Sequence, residues 1–95
     1  MADTLDMEEV IDRIAEYEGW EQDGPWLSKR FEFDGFGDAI EFVNDVAEIA
    51  EELNHHPDIV VQNYNQVVLS ITTHDAGGIT EKDFAFVDEV EGLSG

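Results

Sequence analysis

Apolar residues recur at three- and four-residue steps in three stretches of the chain, and at two-residue steps between them. Leu5, Val10, Ile11, Ile14, Ala15 and Tyr17 form the first helical stripe. Thr4 is placed to cap it, and Asp6, Glu8 and Glu9 suit the positive end of a helix dipole. Gly19 stops the run. Trp20-Glu21-Gln22 predicts a short strand and Asp23-Gly24-Pro25 a turn. From Trp26 to Phe33 the pattern alternates, with Leu27, Phe31 and Phe33 on one face and Trp26, Ser28 and Arg30 on the other. Lys29 interrupts the apolar face. A solvated edge accounts for it most simply, and contact with an acidic or electron-rich ligand is the alternative.

After Asp34-Gly35 comes the clearest amphipathic run: Phe36, Ala39, Ile40, Val43, Val46, Ala47, Ala50 and Leu53, opposed by Glu41, Asp45, Glu48 and Glu52. Such a helix is a rod of roughly 27 Å, and Pro57 is expected to end it. Ile59 to Tyr64 and Val67 to Thr73 are β-branched runs, with Asn65-Gln66 suited to a two-residue hairpin turn and Tyr64 to a packing role beside it. Val67, Leu69, Ile71 and Thr73 share one face of the second run; Val68, Ser70, Thr72 and His74 share the other. Thr80 is placed to cap a last helix, with Asp83 in capping-box position and Ile79, Phe84, Val87 and Val90 inward. The order α-β-β-α-β-β-α predicts a single α+β domain over residues 1–95, a four-stranded antiparallel sheet with helices packed on one face.

Charge changes this picture more than length does. Four Lys and Arg stand against 24 Asp and Glu, a net charge of −20. Binding to a nucleic-acid backbone is excluded on those grounds. The acid is spread along the whole chain, which would strain a compact fold at low salt. At ~1 M salt the Debye length falls to ~3 Å and the repulsion is screened. The composition thus points to a salt-accumulating cytoplasm of the haloarchaeal kind; an acidic face for a basic partner is the alternative. No apolar run suits a membrane span, and the acidic N-terminus lacks the order of a signal peptide. Without cysteine, disulfides and thiolate metal sites are excluded.

All three histidines lie in one window, His55, His56 and His74. Imidazole is the side chain that ordinarily titrates near neutrality, so this window is the candidate for proton transfer. Glu51 precedes His55 by four residues, and a continuing helix would stack the two. Each feature has a plainer account. A Glu–His pair at this spacing is ordinarily a surface pair, one His at a helix end caps carbonyls, and Asp83 serves as a helix N-terminal carboxylate. Three imidazoles also permit a three-histidine zinc site, although adjacent histidines seldom converge on one ion. No nucleophile elbow, phosphate loop or dinucleotide fingerprint is present.

Taken together, Glu51-x3-His55-His56-Pro57, Tyr64, His74 and Asp83 resemble the signature of the pterin-4a-carbinolamine dehydratase family. Gly19-Trp20, Phe31-Glu32-Phe33, Ala39-x2-Phe42-Val43 and Thr73-His74-Asp75-x2-Gly78-Ile79-Thr80 extend the likeness over nearly the whole chain. The resemblance implies a hydro-lyase that dehydrates 4a-hydroxytetrahydropterin to quinonoid dihydropterin, with no metal and no cofactor. It assigns His55 and His74 to general acid/base catalysis, His56 to pterin binding, and Glu51 and Asp83 to the substrate site as supporting carboxylates. A homodimer or homotetramer is implied, built through sheet edges or the long helix. The same resemblance leaves open a role in molybdopterin metabolism or a non-catalytic dimerisation or regulatory module. Ile59 stands where many family members have Trp, so one pocket wall is expected to differ, and the first hairpin, with Pro25, is short.

Overall fold

A computed structural model describes residues 3–93. The elements are α1 (Met7–Ile14), β1 (Glu21–Asp23), β2 (Trp26–Glu32), α2 (Phe36–Leu53), β3 (Asp58–Gln62), β4 (Gln66–Ile71) and α3 (Glu81–Leu93), with a 3-10 turn at His74–Ala76. The sheet is antiparallel throughout, in the order β1-β2-β4-β3. Register places Leu27 opposite Ile71, Phe31 opposite Val67, and Ile59 opposite Leu69. The fold is the expected α+β arrangement, with β4 at its centre.

Alternation decides what is buried. Leu27, Val67, Leu69 and Ile71 have no solvent exposure and form the sheet side of the core. Val10 and Ile14 of α1, Phe42, Val46 and Ile49 of α2, and Phe84, Phe86, Val87 and Val90 of α3 cover them. Each such side chain, fully buried, contributes about 1.5–3 kcal/mol of transfer free energy. Phe42 packs between Phe31 and Phe33, with ring centroids 4.7 and 5.0 Å away. The opposite face of the sheet is more polar, and Ser28 and Ser70 are hydrogen-bonded across it.

Several local expectations are corrected. Asp6, not Thr4, caps α1, because its extended backbone lets the carboxylate accept the Glu8 N–H. Leu5 N–H instead ties the N-terminal segment to the Ile79 carbonyl at 2.8 Å. Ile11 is 51 % exposed and Phe36 55 %, so both helical stripes are narrower than their apolar content suggests. In α2 the buried line runs through Phe42 and Ile49, which sit next to acids in sequence but on the inward arc. The β3–β4 turn is Asn63-Tyr64-Asn65 with Gln62 paired to Gln66, not a two-residue turn. Asn63 and Tyr64 take positive φ of 48° and 56°, and Tyr64 is 64 % exposed instead of packed.

Lys29 is not a bare edge charge. Its ammonium bonds Glu91 Oε2 at 3.0 Å and lies 4.7 Å from the Phe31 ring centre. Trp20 Nε1 donates to the same carboxylate oxygen at 2.9 Å. Gly19 makes room: it has φ +86°, and a Cβ there would stand 2.9 Å from Lys29 Cε. On the other side of α3, Arg13 forms a two-pronged pair with Glu81 and lies 4.2 Å from the Phe84 ring centre. The hydrogen bonds to Glu81 raise the Arg13 pKa, and that guanidinium lowers the Glu81 pKa. The Tyr17 hydroxyl donates to Asp88.

Two outcomes follow from this packing. Leu69→Ala should lower stability by about 2–5 kcal/mol in denaturant titrations at molar KCl, because β4 cannot close around the void. The hydrogen bond to Asp88, then burial, pushes the Tyr17 pKa from 10.0 up to about 12. A raised folded-state pKa gives stability that is complete below pH 10.0 and lost as pH rises through about 12. Melting curves of wild type and Tyr17→Phe should therefore converge across that window; a constant gap would show that the hydroxyl does not titrate as described.

Candidate active site

The end of α2 decides where the adjacent histidines go. Asn54 adopts φ 51°, ψ 44° and closes the helix. The Asn54 N–H bonds the Glu51 carbonyl and the His55 N–H bonds the Ala50 carbonyl, the two bonds of a Schellman motif. Asn is among the few residues that tolerate this left-handed position. The helix therefore stops at Leu53, ahead of Pro57, which was expected to stop it.

That reversal sends the two rings to different carboxylates. His55 Nε2 lies 2.6 Å from Asp83 Oδ1, and His56 Nε2 lies 2.5 Å from Glu51 Oε2. The stacking of Glu51 on His55 expected of a continuing helix is not formed, because the chain has left helical geometry before His55. The His56–Glu51 pair is exposed, whereas Asp83 is fully buried.

Asp83 is the best-anchored group here. Its Oδ2 accepts from the Thr80 N–H and the Thr73 hydroxyl, both at 2.8 Å, while Oδ1 faces His55. The Thr80 hydroxyl accepts from the Lys82 N–H at 3.2 Å and pairs with the Thr73 hydroxyl. This is the capping box foreseen from Thr80 and Asp83, extended by a strand-end threonine. Both carboxylate oxygens are thus used by protein groups, Oδ2 by Thr80 and Thr73 and Oδ1 by His55. With Nε2 held, His55 has Nδ1 as its remaining ring nitrogen.

His74 opens the 3-10 turn just after β4. Its backbone is set by Thr73, which bridges to Gly78, and by Gly77 at φ +80°, whose N–H returns to the His74 carbonyl. The exposed imidazole stands edge-on to Trp26 with ring centres 5.5 Å apart. It has no carboxylate partner among the described residues.

The three histidines line one open cavity of about 330 Å³, together with Asn54, Thr72, Thr73, Asp75 and Lys82. Glu51 and Asp83 are not part of the lining; they hold two of the rings that are. Ile59 packs against the core and does not form a cavity wall. Lys82 and Trp26 were not singled out by sequence reasoning. A lone Lys on a capped helix gives no periodic signal, and the contact of Trp26 with His74 depends on strand register. Among the described residues, no cluster of three or more His, Asp or Glu side chains could hold a metal ion. No helix there is long and apolar enough to cross a membrane.

A family model for pterin 4 alpha carbinolamine dehydratase matches residues 3–93. The chain belongs to the pterin-4a-carbinolamine dehydratase family. Relatives carrying that enzyme's name include one from Thermomicrobium roseum, 46% identical over 90 residues, covering 95% of this chain and 96% of the relative. Another, from Sulfolobus acidocaldarius, is 44% identical over 86 residues, covering 90% and 93%. A transcriptional coactivator/pterin dehydratase from Brucella melitensis superimposes with a TM-score of 0.90 at 27% identity, covering 98% of this chain and 100% of that one. A pterin dehydratase-like RuBisCO assembly factor of the alpha-carboxysome superimposes at 0.67 and 28%, covering 83% and 93%.

In this pterin-4a-carbinolamine dehydratase family member the buried carboxylate couples fold to site. Asp83→Ala would leave the Thr80 N–H, the Thr73 hydroxyl and His55 without their acceptor. A loss of about 3–5 kcal/mol is expected in chemical denaturation, the scale for removing one partner of a buried pair. Asp83→Asn should lose less, since one amide oxygen remains to accept.

Proposed function

We propose that this chain is a hydro-lyase that dehydrates 4a-hydroxytetrahydropterin to quinonoid dihydropterin and water. The observation that carries the reading is the convergence of all three imidazoles on one cavity, two braced by carboxylates and the third open.

The chemistry needs little else. A proton is delivered to the 4a-hydroxyl oxygen, and the lone pair of the adjacent ring nitrogen expels it as water. A ring nitrogen then gives up one proton, so the net change is loss of one water and no redox step. Imidazole can donate or accept at neutral pH, and positioned groups of this kind contribute about 10²–10⁴-fold. His55 and His74 are the acid/base pair in this reading. The Asp83 carboxylate fixes the His55 ring, and the Trp26 ring stands across from His74 at 5.5 Å. His56, held by Glu51, lies at the open side and binds the pterin.

The test follows dehydration of synthetic 4a-hydroxytetrahydropterin at molar KCl. His55→Ala and His74→Ala should each lose roughly 10²-fold or more in kcat, and His56→Ala should mainly raise KM. No rate above background in wild type would sink the enzyme reading in favour of a non-catalytic module.

The chain is further proposed to act as a homo-oligomer in a salt-rich cytoplasm. β3 is a sheet edge with Val60 49 % and Val61 37 % exposed, an arrangement that monomers usually blunt. α2 leaves Phe36 exposed and Ile40 half-buried. Light scattering at molar KCl should give a dimer or tetramer mass, and Val60→Lys should reduce it; a monomer mass in wild type would refute the oligomer.

A further inference from the structure

Lys82 lines the same cavity as the histidines, yet the dehydration chemistry gives its ammonium no task. The chain holds only four basic residues against 24 acidic ones. Arg13 is paired with Glu81 and Glu9, and Lys29 with Glu91. Arg30 is exposed on β2, opposite Val68 and outside the cavity. Lys82 forms no ion pair among the described residues, although acids flank it on both sides. Those two acids are committed elsewhere. Glu81 holds Arg13 at 2.7 Å, and Asp83 is turned inward to His55 at 2.6 Å. Asp75, across the lining, is not paired with it either.

The position of Lys82 is unfavourable on local grounds. It sits in the first turn of α3, where the helix dipole favours carboxylates and opposes an ammonium. Its backbone N–H is fixed by the Thr80 hydroxyl, so the root of the side chain stays at the cavity wall. A cation placed against the dipole, unpaired and lining a cavity, is a departure from local preference of the kind found at functional positions.

We propose that the Lys82 ammonium anchors an oxyanion carried by the ligand, so that the cavity selects a pterin whose side chain bears a phosphate ester or a carboxylate. This rests on the reading of the cavity as a pterin site. The neutral ring is already served by the imidazoles and the Asn54 amide. A full positive charge beside them matches a full negative one, and ammonium is a compact donor well suited to phosphate. The anchor also answers the net charge of −20, which repels an anionic ligand. Molar salt screens the distant acids, while a contact pair persists inside a Debye length of ~3 Å.

The experiment titrates the full chain at molar KCl with two non-reacting dihydropterins. One bears a neutral dihydroxypropyl side chain, the other its monophosphate ester. Wild type should bind the ester about tenfold more tightly, the scale of one charge-assisted hydrogen bond at a partly exposed site. Lys82→Gln should level the two affinities, and Lys82→Arg should keep most of the preference. That selectivity ratio would not move if Lys82 were merely structural. Equal affinities in wild type, or a preference surviving in Lys82→Gln, overturn the anchor and leave the pterin reading standing. Binding of neither ligand removes the pterin reading and the anchor with it. A carboxylate analogue as third ligand separates the two acids.

Discussion

Three parts of the molecule meet at the Asp83 carboxylate. It caps α3 through the Thr80 N–H, ties in the end of the central strand through the Thr73 hydroxyl, and holds the His55 ring. Among the described residues it is the only buried charged side chain, and no buried side-chain polar atom lacks a hydrogen-bond partner. A buried carboxylate is tolerable only when its lone pairs are used, and here donors from a backbone, a hydroxyl and an imidazole use them. The fold thus cannot shift the start of α3 relative to β4 without disturbing His55. Stability of the capping region and geometry of the cavity are one constraint.

Acid elsewhere is kept at the surface, and two of the four cations join elements. Arg13 ties α1 to the start of α3, and Lys29 ties β2 to its last turns. Both ammonium and guanidinium also lie over aromatic rings, which adds a favourable contact that does not depend on pairing alone. Surface pairs of this sort contribute little singly, about 0–1 kcal/mol, and less in strong salt. Their value in so acidic a chain is positional: each places one positive charge where α3 would otherwise face the rest of the fold with acid only.

Family membership fixes the architecture more firmly than the task. Similar folds carry names as different as a coactivator and a carboxysome assembly factor, so function has to be read from the site. In this chain two braced imidazoles, an open third one and two carboxylates behind them stand at one cavity.

Periodicity alone determined the element order, the antiparallel sheet and most of the core, because burial along a helix or strand repeats with the local geometry. The Thr80–Asp83 cap was equally legible, being a contact over three residues. The histidine window stood out because the chain has no other group of that kind. The partners of those histidines were not legible. A left-handed Asn54 turns His55 away from Glu51, and the acceptor it meets instead is 28 residues further on. Lys29 finds Glu91 across 62 residues, and Lys82 joins the cavity only because α3 begins beside the end of β4. Such pairings depend on how elements dock and how one turn closes. Sequence spacing encodes the first turn of a helix well, and says nothing about which distant surface that turn will face.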